Sequence, residues 1–387
     1  MAHFQQQWGM LYDKFSQSYT GEWAYQTAIN HFREKLLPLL QQLINQVDQF
    51  DQCGQASKKP NEESQKAKNT IKTAIDTISQ QLIFSPPAPR RIDRQVLLKA
   101  RRRKKFKVDH LNLVDIPYYN QPLFIVSAPR AGSTLLFETL SKFPELWSTG
   151  EENHELIEDI VGLHPRDQQF HSNRLTETQA NLATREAVLK AFSSRLQNRA
   201  QAYYFALEKD QQPKSIRFLE KTPKNALRIP FLKALFPDAK FIYLHRDYTA
   251  NVSSLIDGWR SQRFIAYRHL PHLPHRHWNF LLIPNWQTLL HKSVTTIAKQ
   301  QWEVSNHIIQ QDLAQLSSND WIKIDYQTLI KHPLQVVEAI AKFANLTTDE
   351  PLLAHCRNGL PISRLTLSTP NQDKWEKHRC FLMENRK

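Results

Sequence analysis

Glycine is scarce in this chain, eight in 387 residues. A glycine at a turn beside polar groups is therefore one of the first residues to examine. Cysteine is scarcer still: Cys53, Cys356 and Cys380 are widely scattered, which gives neither a disulfide ladder nor a cysteine-based zinc pattern and fits a reducing compartment. No stretch sustains the roughly 18 apolar residues of a membrane span. Met1-Ala2-His3-Phe4-Gln5-Gln6-Gln7 has no basic segment leading into an apolar run. The expectation is a cytoplasmic protein without a membrane span. No internal repeat is present.

Acidic residues are in the minority, 37 Asp and Glu against 51 Lys and Arg, for a formal net charge of +14. The distribution says more than the total: between Arg90 and Lys107 ten basic residues stand against the single acid Asp93, and the rest is only mildly basic. A solvated helix face or a contact to an anionic acceptor accounts for this stretch, and nucleic acid is not the favoured partner.

Residues 1–85 read as a helical region. Ile71, Ile75, Ile78 and Leu82 share one face, and Phe32, Leu36, Leu39, Leu40, Leu43 and Val47 form a second stripe. Such stripes are packing surfaces, and they offer a means of self-association into a homo-oligomer. Three prolines within Ser85-Pro86-Pro87-Ala88-Pro89 stop the second helix, and 86–119 reads as a basic connector. From 120 to 387 short β-rich runs alternate with helical ones. Strands are expected over Leu123–Ser127, Ile216–Leu219, Lys240–Leu244 and Trp321–Asp325. Helices are expected over Thr134–Lys142, Asn225–Leu235, Thr249–Trp259 and Pro333–Ala344. The fold class is α/β, a P-loop-like parallel sheet flanked by helices with an N-terminal α-helical extension.

One of the few glycines stands in Ser127-Ala128-Pro129-Arg130-Ala131-Gly132-Ser133-Thr134, between the first strand and the helix opening Leu135-Leu136-Phe137. A strand, a tight turn and a helix N-terminus present unpaired amides to an anion. Against the nucleotide-binding pattern G-x-x-x-x-G-K-[ST], Ser133 replaces the lysine and Thr134 keeps the hydroxyl. Arg130 offers the missing charge. An ordinary capped turn has the same composition, and a second segment decides between the two. There Arg246 ends a strand and Ser254 sits two turns into the next helix, converging on one phosphate.

Together these residues resemble the sulfotransferases that use 3′-phosphoadenosine-5′-phosphosulfate (PAPS) and release PAP. Pro129-Arg130-Ala131-Gly132-Ser133-Thr134 resembles their 5′-phosphosulfate loop, with Arg where the steroid and phenol enzymes carry Lys. Phe241-Ile242-Tyr243-Leu244-His245-Arg246-Asp247 through Ser254 resembles their 3′-phosphate motif. The likeness covers residues 121 to about 375, includes Glu220-Lys221-Thr222-Pro223, and is nearest the branch containing tyrosylprotein sulfotransferases and many bacterial enzymes.

The resemblance implies a PAPS site of Arg130, Ala131, Gly132, Ser133, Thr134, Leu135, Arg246, Ser254, Tyr326, Lys374 and Trp375, with no metal. It implies that Arg130 and Lys221 stabilise the leaving oxygen, and it places the base within Gly150-Glu151-Glu152-Asn153-His154. Glu152 is the first choice and His154 the second. The interval from Arg130 is one residue longer than in the tyrosylprotein enzymes, so Glu151 stays open as well. Asp373 stands where the family closes over the nucleotide with Ser-Lys-Trp, leaving Ser368 or Thr369 to supply a hydroxyl.

The stretch 264–286, with Tyr267, Trp278, Phe280 and several histidines, reads as a loop that shapes the acceptor pocket and stacks on a flat or apolar acceptor. The acceptor is a small molecule, a peptide or a glycan. Two other functions remain open: a non-catalytic nucleotide- or RNA-binding protein, and a P-loop phosphotransferase that turns over ATP with Mg²⁺.

Overall fold

The computed structural model describes residues 111–271, 273–367 and 372–382. The expected N-terminal helices, most of the basic connector, and Ser368 and Thr369 lie outside the described residues. The strands are β1 (Tyr118–Tyr119), β2 (Leu123–Val126), β3 (Leu146–Trp147), β4 (Ser215–Lys221), β5 (Lys240–His245), β6 (Ile265–Leu270), β7 (Leu273–Asn279) and β8 (Trp321–Asp325). The helices are α1 (Ser133–Leu140), α2 (His154–Glu158), α3 (Leu182–Ser193), α4 (Ile229–Leu235), α5 (Tyr248–Ser261), α6 (Val294–Ala314), α7 (Tyr326–Lys331), α8 (Pro333–Ala344), α9 (Glu350–Arg357) and α10 (Arg379–Leu382). None of these helices is long and apolar enough to cross a membrane.

The main sheet runs β1-β4-β2-β5-β8, with β3 also paired to β4, and each of these pairings is parallel. A central parallel strand is covered on both faces and so needs no polar side. Leu123-Phe124-Ile125-Val126 meets that demand, all four residues being buried. Alternation divides them between two cores. Leu123 and Ile125 join Leu136, Phe137 and Leu140 of α1, Ile242 and Leu244 of β5, and Val336, Val337 and Ile340 of α8. On the other face Phe124 meets Phe236 and Phe241 at ring separations of 5.6 and 5.8 Å.

The chain leaves β2 for β4 on one side, then returns across it to β5 on the other. Such a reversal opens a crevice at the carboxyl ends of the strands, because the connections diverge there. Register puts Ile125 of β2 beside Lys221, and His245 of β5 beside Asp325. The loop after Val126, the Lys221 end of β4, Arg246 and Tyr326 therefore share one edge of the sheet.

Helix ends follow local chemistry. Asp247 caps α5 by accepting from the Thr249 and Ala250 amides at 2.9 and 3.3 Å. Asp325 caps α7 through the amides of Gln327 and Thr328.

Two expectations need correcting. The helix expected over Asn225–Leu235 is a 3-10 turn, Pro223–Leu227, followed by α4. The buried Arg228 joins the two with φ −131°, outside the helical range. The stretch read as a loop around 264–286 carries the paired strands β6 and β7. Its aromatics are largely committed to the interior: Trp278 packs edge-on against Trp259 and Trp286, and Tyr267 and Phe280 are buried. These rings are core, which takes them away from stacking on an acceptor.

Ile242 lies in the centre of the sheet with no exposed surface. Replacing it with alanine leaves a cavity that facing helices cannot fill, and Ile242→Ala should lower the unfolding free energy by about 2 to 5 kcal/mol in a urea titration.

Candidate active site

Ser127 leaves β2 fully buried, and the turn that follows uses two left-handed residues, Arg130 at φ 65° and Gly132 at φ 105°. A left-handed backbone is costly for arginine and free for glycine. Gly132 is required a second time by packing, since a Cβ there would run into the Tyr326 ring. The turn is braced from α5, where the buried Asn251 donates its Nδ2 to the Pro129 carbonyl at 2.9 Å. Ser254 falls between Asn251 and Gly258 on the same side of α5 by helical spacing.

Two guanidiniums flank the turn. Arg130 lies 4.4 Å over the Phe264 ring and donates to the Leu365 carbonyl at 3.1 Å. Arg246 lies 4.5 Å over the Tyr326 ring and donates to the Arg130 carbonyl at 3.1 Å. Neither forms an ion pair with a carboxylate among the described residues. Burial, and then the charge of Arg246, bring Arg130 down to about 10, so it stays cationic at neutral pH. Burial also lowers Arg246. Lys374 adds a third cation, lowered by burial and by the charges of Lys377, Arg130 and Arg246 against the pull of Asp257.

Buried polar atoms left without partners collect around this turn. Ser127 Oγ, Arg130 Nε, Arg246 Nε and Asn251 Oδ1 have none among the described residues. Folded proteins rarely leave such atoms unpaired. Three of the four are able to donate a hydrogen bond, and two carry unneutralised charge. This is the chemistry of an anion cradle, and it fits a phosphate-bearing group.

Beyond the turn, Lys221 ends β4 with its side chain 2% exposed. Its ammonium meets Glu152 Oε1 and donates to Thr134 Oγ1 at 3.1 Å. The other Glu152 oxygen lies 2.7 Å from His154 Nε2. Burial works to raise the Glu152 carboxyl, but the His154 hydrogen bond and the Lys221 charge prevail and hold it at about 2. Burial pushes His154 below its ordinary range, against the pull of Glu152. The neutral ring then donates from Nε2, leaving a lone pair on Nδ1. Glu151 is placed elsewhere, 3.4 Å from Arg195.

Sequence reasoning singled out Arg130, Gly132, Thr134, Glu152, His154, Lys221, Arg246 and Tyr326, and the structure places them in two contact groups, His154–Glu152–Lys221–Thr134 and Arg130–Arg246–Tyr326–Gly132, joined by the backbone from 132 to 134. Ala131 and Ser133 are buried in the turn, and Leu135 is buried on α1. Trp375 is half-buried in the 3-10 turn Gln372–His378.

Two supporting groups went unforeseen. Asp257, on α5 three residues past Ser254, pairs with Lys377 at 2.7 Å and His378 at 3.2 Å, fastening the turn that carries Lys374. Glu158 at the end of α2 accepts from Lys224 at 2.8 Å, Arg228 at 2.7 Å, Tyr267 at 2.9 Å and Asn173 at 3.1 Å. The i, i+4 spacing of Lys224 and Arg228 after Pro223 was the available signal for the second group.

These carboxylates set the response to acid. Glu158, like Glu152, is held at about 2; burial opposes the shift, and the charges of Arg228 and Lys224 overcome it. Burial raises Glu220 to about 7. Depressed groups stabilise the fold fully above about pH 4.5 and lose that contribution as pH falls toward 2, whereas Glu220 gains in stability as pH falls from 7 to 4.5. Circular dichroism should therefore show stability maintained down to about pH 4.5 and lost steeply below it. Glu158→Gln should flatten that loss and cost about 3 to 5 kcal/mol at neutral pH, because it leaves two buried cations unpaired.

A family model described as "Sulfotransferase family" matches residues 122–350. The protein-tyrosine sulfotransferase of Drosophila melanogaster is 24% identical over 255 residues, covering 64% of this chain and 43% of the relative. An uncharacterized protein of Aquifex aeolicus (strain VF5) is 23% identical over 270 residues, covering 68% of this chain and 31% of the relative. The chain thus spans less than half the length of these two relatives. Among solved structures, the sulfotransferase domain from the curacin biosynthetic pathway has 23% identity and a TM-score of 0.38, covering 61% of this chain and 77% of that one. The family match takes in the phosphate-type turn, the Lys221–Glu152 pair and Arg246, more than half of the chain, and on that match the chain belongs to the sulfotransferase family.

Proposed function

We propose that the protein transfers a sulfuryl group from PAPS to a hydroxyl or amine of an acceptor. The observation that carries this reading is the pair of guanidiniums, Arg130 and Arg246, with buried Nε atoms unpartnered among the described residues on either side of a left-handed turn. The nucleotide PAPS is anionic at both ends, and two separated cations suit it better than the single lysine of a triphosphate site. In this reading Arg246 and Ser254 hold the 3′-phosphate. Gly132, Ser133 and Thr134 present amides and a hydroxyl to the 5′ end, and Tyr326, Lys374 and Trp375 border the nucleotide.

In the reaction the acceptor atom attacks sulfur, a new bond to sulfur forms, and the bond from sulfur to the 5′-phosphate oxygen breaks. The electron pair leaves on PAP, and the acceptor's proton goes to Glu152. Lys221 and Arg130 offset the charge that builds on the leaving oxygen. Glu152 held at about 2 is a weak base. A phosphosulfate oxygen that draws the Lys221 ammonium removes one of the groups holding it there, so base strength rises when the donor is bound. His154 orients the carboxylate through the hydrogen bond from its Nε2, leaving the Glu152 oxygen released by Lys221 to take the proton.

Acceptors to try are small hydroxylated or amine metabolites, phenols, peptide tyrosines and glycans; the Drosophila relative's name brings in the peptide tyrosines. Calorimetry with PAP, and PAP release from PAPS across that panel, test the reading. Arg246→Ala should weaken PAP binding by about 1 to 3 kcal/mol, as the loss of a charged phosphate contact. Glu152→Gln should leave PAP affinity near wild type while lowering kcat by about 100-fold or more. Failure of the wild-type protein to bind PAP would sink the proposal, and Mg²⁺-dependent ATP turnover would replace it with phosphoryl transfer.

A further inference from the structure

Glu220 has no part in the chemistry above, yet it is a carboxylate only 1% exposed, one residue before Lys221. Successive side chains on a strand point to opposite faces, so Glu220 is directed away from the Lys221 ammonium. Its partners lie on both sides of the candidate site. Oε1 accepts from Thr222 Oγ1 at 2.6 Å and from Asn153 Nδ2 at 3.2 Å, and Oε2 accepts from Asn225 Nδ2. Thr222 Oγ1 in turn accepts from the Asn153 backbone amide at 2.8 Å. Asn153, Thr222 and Asn225 are all buried.

Asn153 follows Glu152, and Glu220 and Thr222 flank Lys221. The immediate neighbours of the ion pair are thus bonded to one another beneath it. A Glu220 oxygen that accepts the Thr222 O–H hydrogen bond turns the hydroxyl's lone pairs toward the Asn153 amide, so the link depends on Glu220 as well as on the hydroxyl. The helix that follows, α2, has five residues, too few to be stable by itself. Farther along the same two segments, Glu158 with Lys224 and Arg228 makes a separate clamp that shares none of these groups.

We propose that Glu220 is a positioning residue. Through Thr222 and Asn153 it fixes the backbone that carries Glu152 and keeps that carboxylate in register with Lys221. This rests on the sulfuryl-transfer reading for its catalytic consequence, while the geometric claim stands without it.

The test uses the intact protein with Thr222→Val, which removes the hydroxyl at nearly constant shape, Glu220→Gln as a second variant, and Thr222→Ser as the rescue. Each is treated briefly with an acetylating N-hydroxysuccinimide ester, and acetylation at Lys221 and Lys224 is compared by mass spectrometry. The expected result is a severalfold rise at Lys221 with Lys224 unchanged in Thr222→Val and Glu220→Gln, and wild-type labelling in Thr222→Ser. With an acceptor in hand, kcat should fall about 10- to 100-fold in the first two variants, as expected of a misplaced base. PAP affinity should remain within about threefold, since neither variant removes a group assigned to the nucleotide. Equal rises at Lys221 and Lys224, or no rise at either, would overturn the positioning role. Failure of wild type to bind PAP removes the catalytic consequence, and the labelling ratio then decides the geometric claim by itself.

Discussion

A lysine ammonium buried at the end of a parallel strand is costly to desolvate and must be met by a partner, and the arrangement around Lys221 follows from that demand. Glu152 meets the charge, and Thr134, at the start of α1, accepts one of its protons. One side chain thereby ties together the end of β4, the helix after the left-handed turn, and the segment that carries the proposed base. The His154 hydrogen bond together with the Lys221 charge holds that carboxylate well below its usual range, which keeps it ionised opposite the lysine.

The sheet determines where that lysine meets an anion. Because β2 lies between β4 and β5, its carboxyl end faces Lys221 on one side and the strand leading to Arg246 on the other. The intervening turn accepts left-handed geometry at Arg130 and Gly132, with Tyr326 packed where a side chain at 132 would stand. Asp257 extends the same logic by holding the turn that brings Lys374 toward the two guanidiniums. The positive charge is therefore assembled from four separated parts of the chain, each anchored by its own short-range contact.

How much of this was legible in the sequence depended on whether a signal was local. The all-apolar run of β2, its glycine turn and the strand before Arg246 are local patterns, and they were enough to read the sheet and the edge that carries the candidate site. Trp321–Asp325 and Pro333–Ala344 matched to the residue, since Asp325 caps α7 and Pro333 opens α8. The pairing of β6 with β7 was hidden by a histidine- and proline-rich composition that reads as loop, and the burial of Trp278 there depends on Trp259 of α5 as well as on Trp286 at the end of the same stretch. Nor did the order of residues separate Glu151 from Glu152. That needed Arg195, from the turn after α3, to engage one acid, and Lys221 to engage the other. Asp257 and Glu158 carry no mark in the sequence by themselves, because their cationic partners come from other segments.

In the proposed reaction Lys221 is shared between the carboxylate of Glu152 and the leaving end of the sulfuryl donor. A crystal structure of the protein with PAP bound tests this most directly. The expected result is the 5′-phosphate seated on the turn from Arg130 to Thr134, with Lys221 Nζ within hydrogen-bond distance of a phosphate oxygen and withdrawn from Glu152. A nucleotide bound with Lys221 still closed on Glu152 and its 5′-phosphate away from that turn would contradict it.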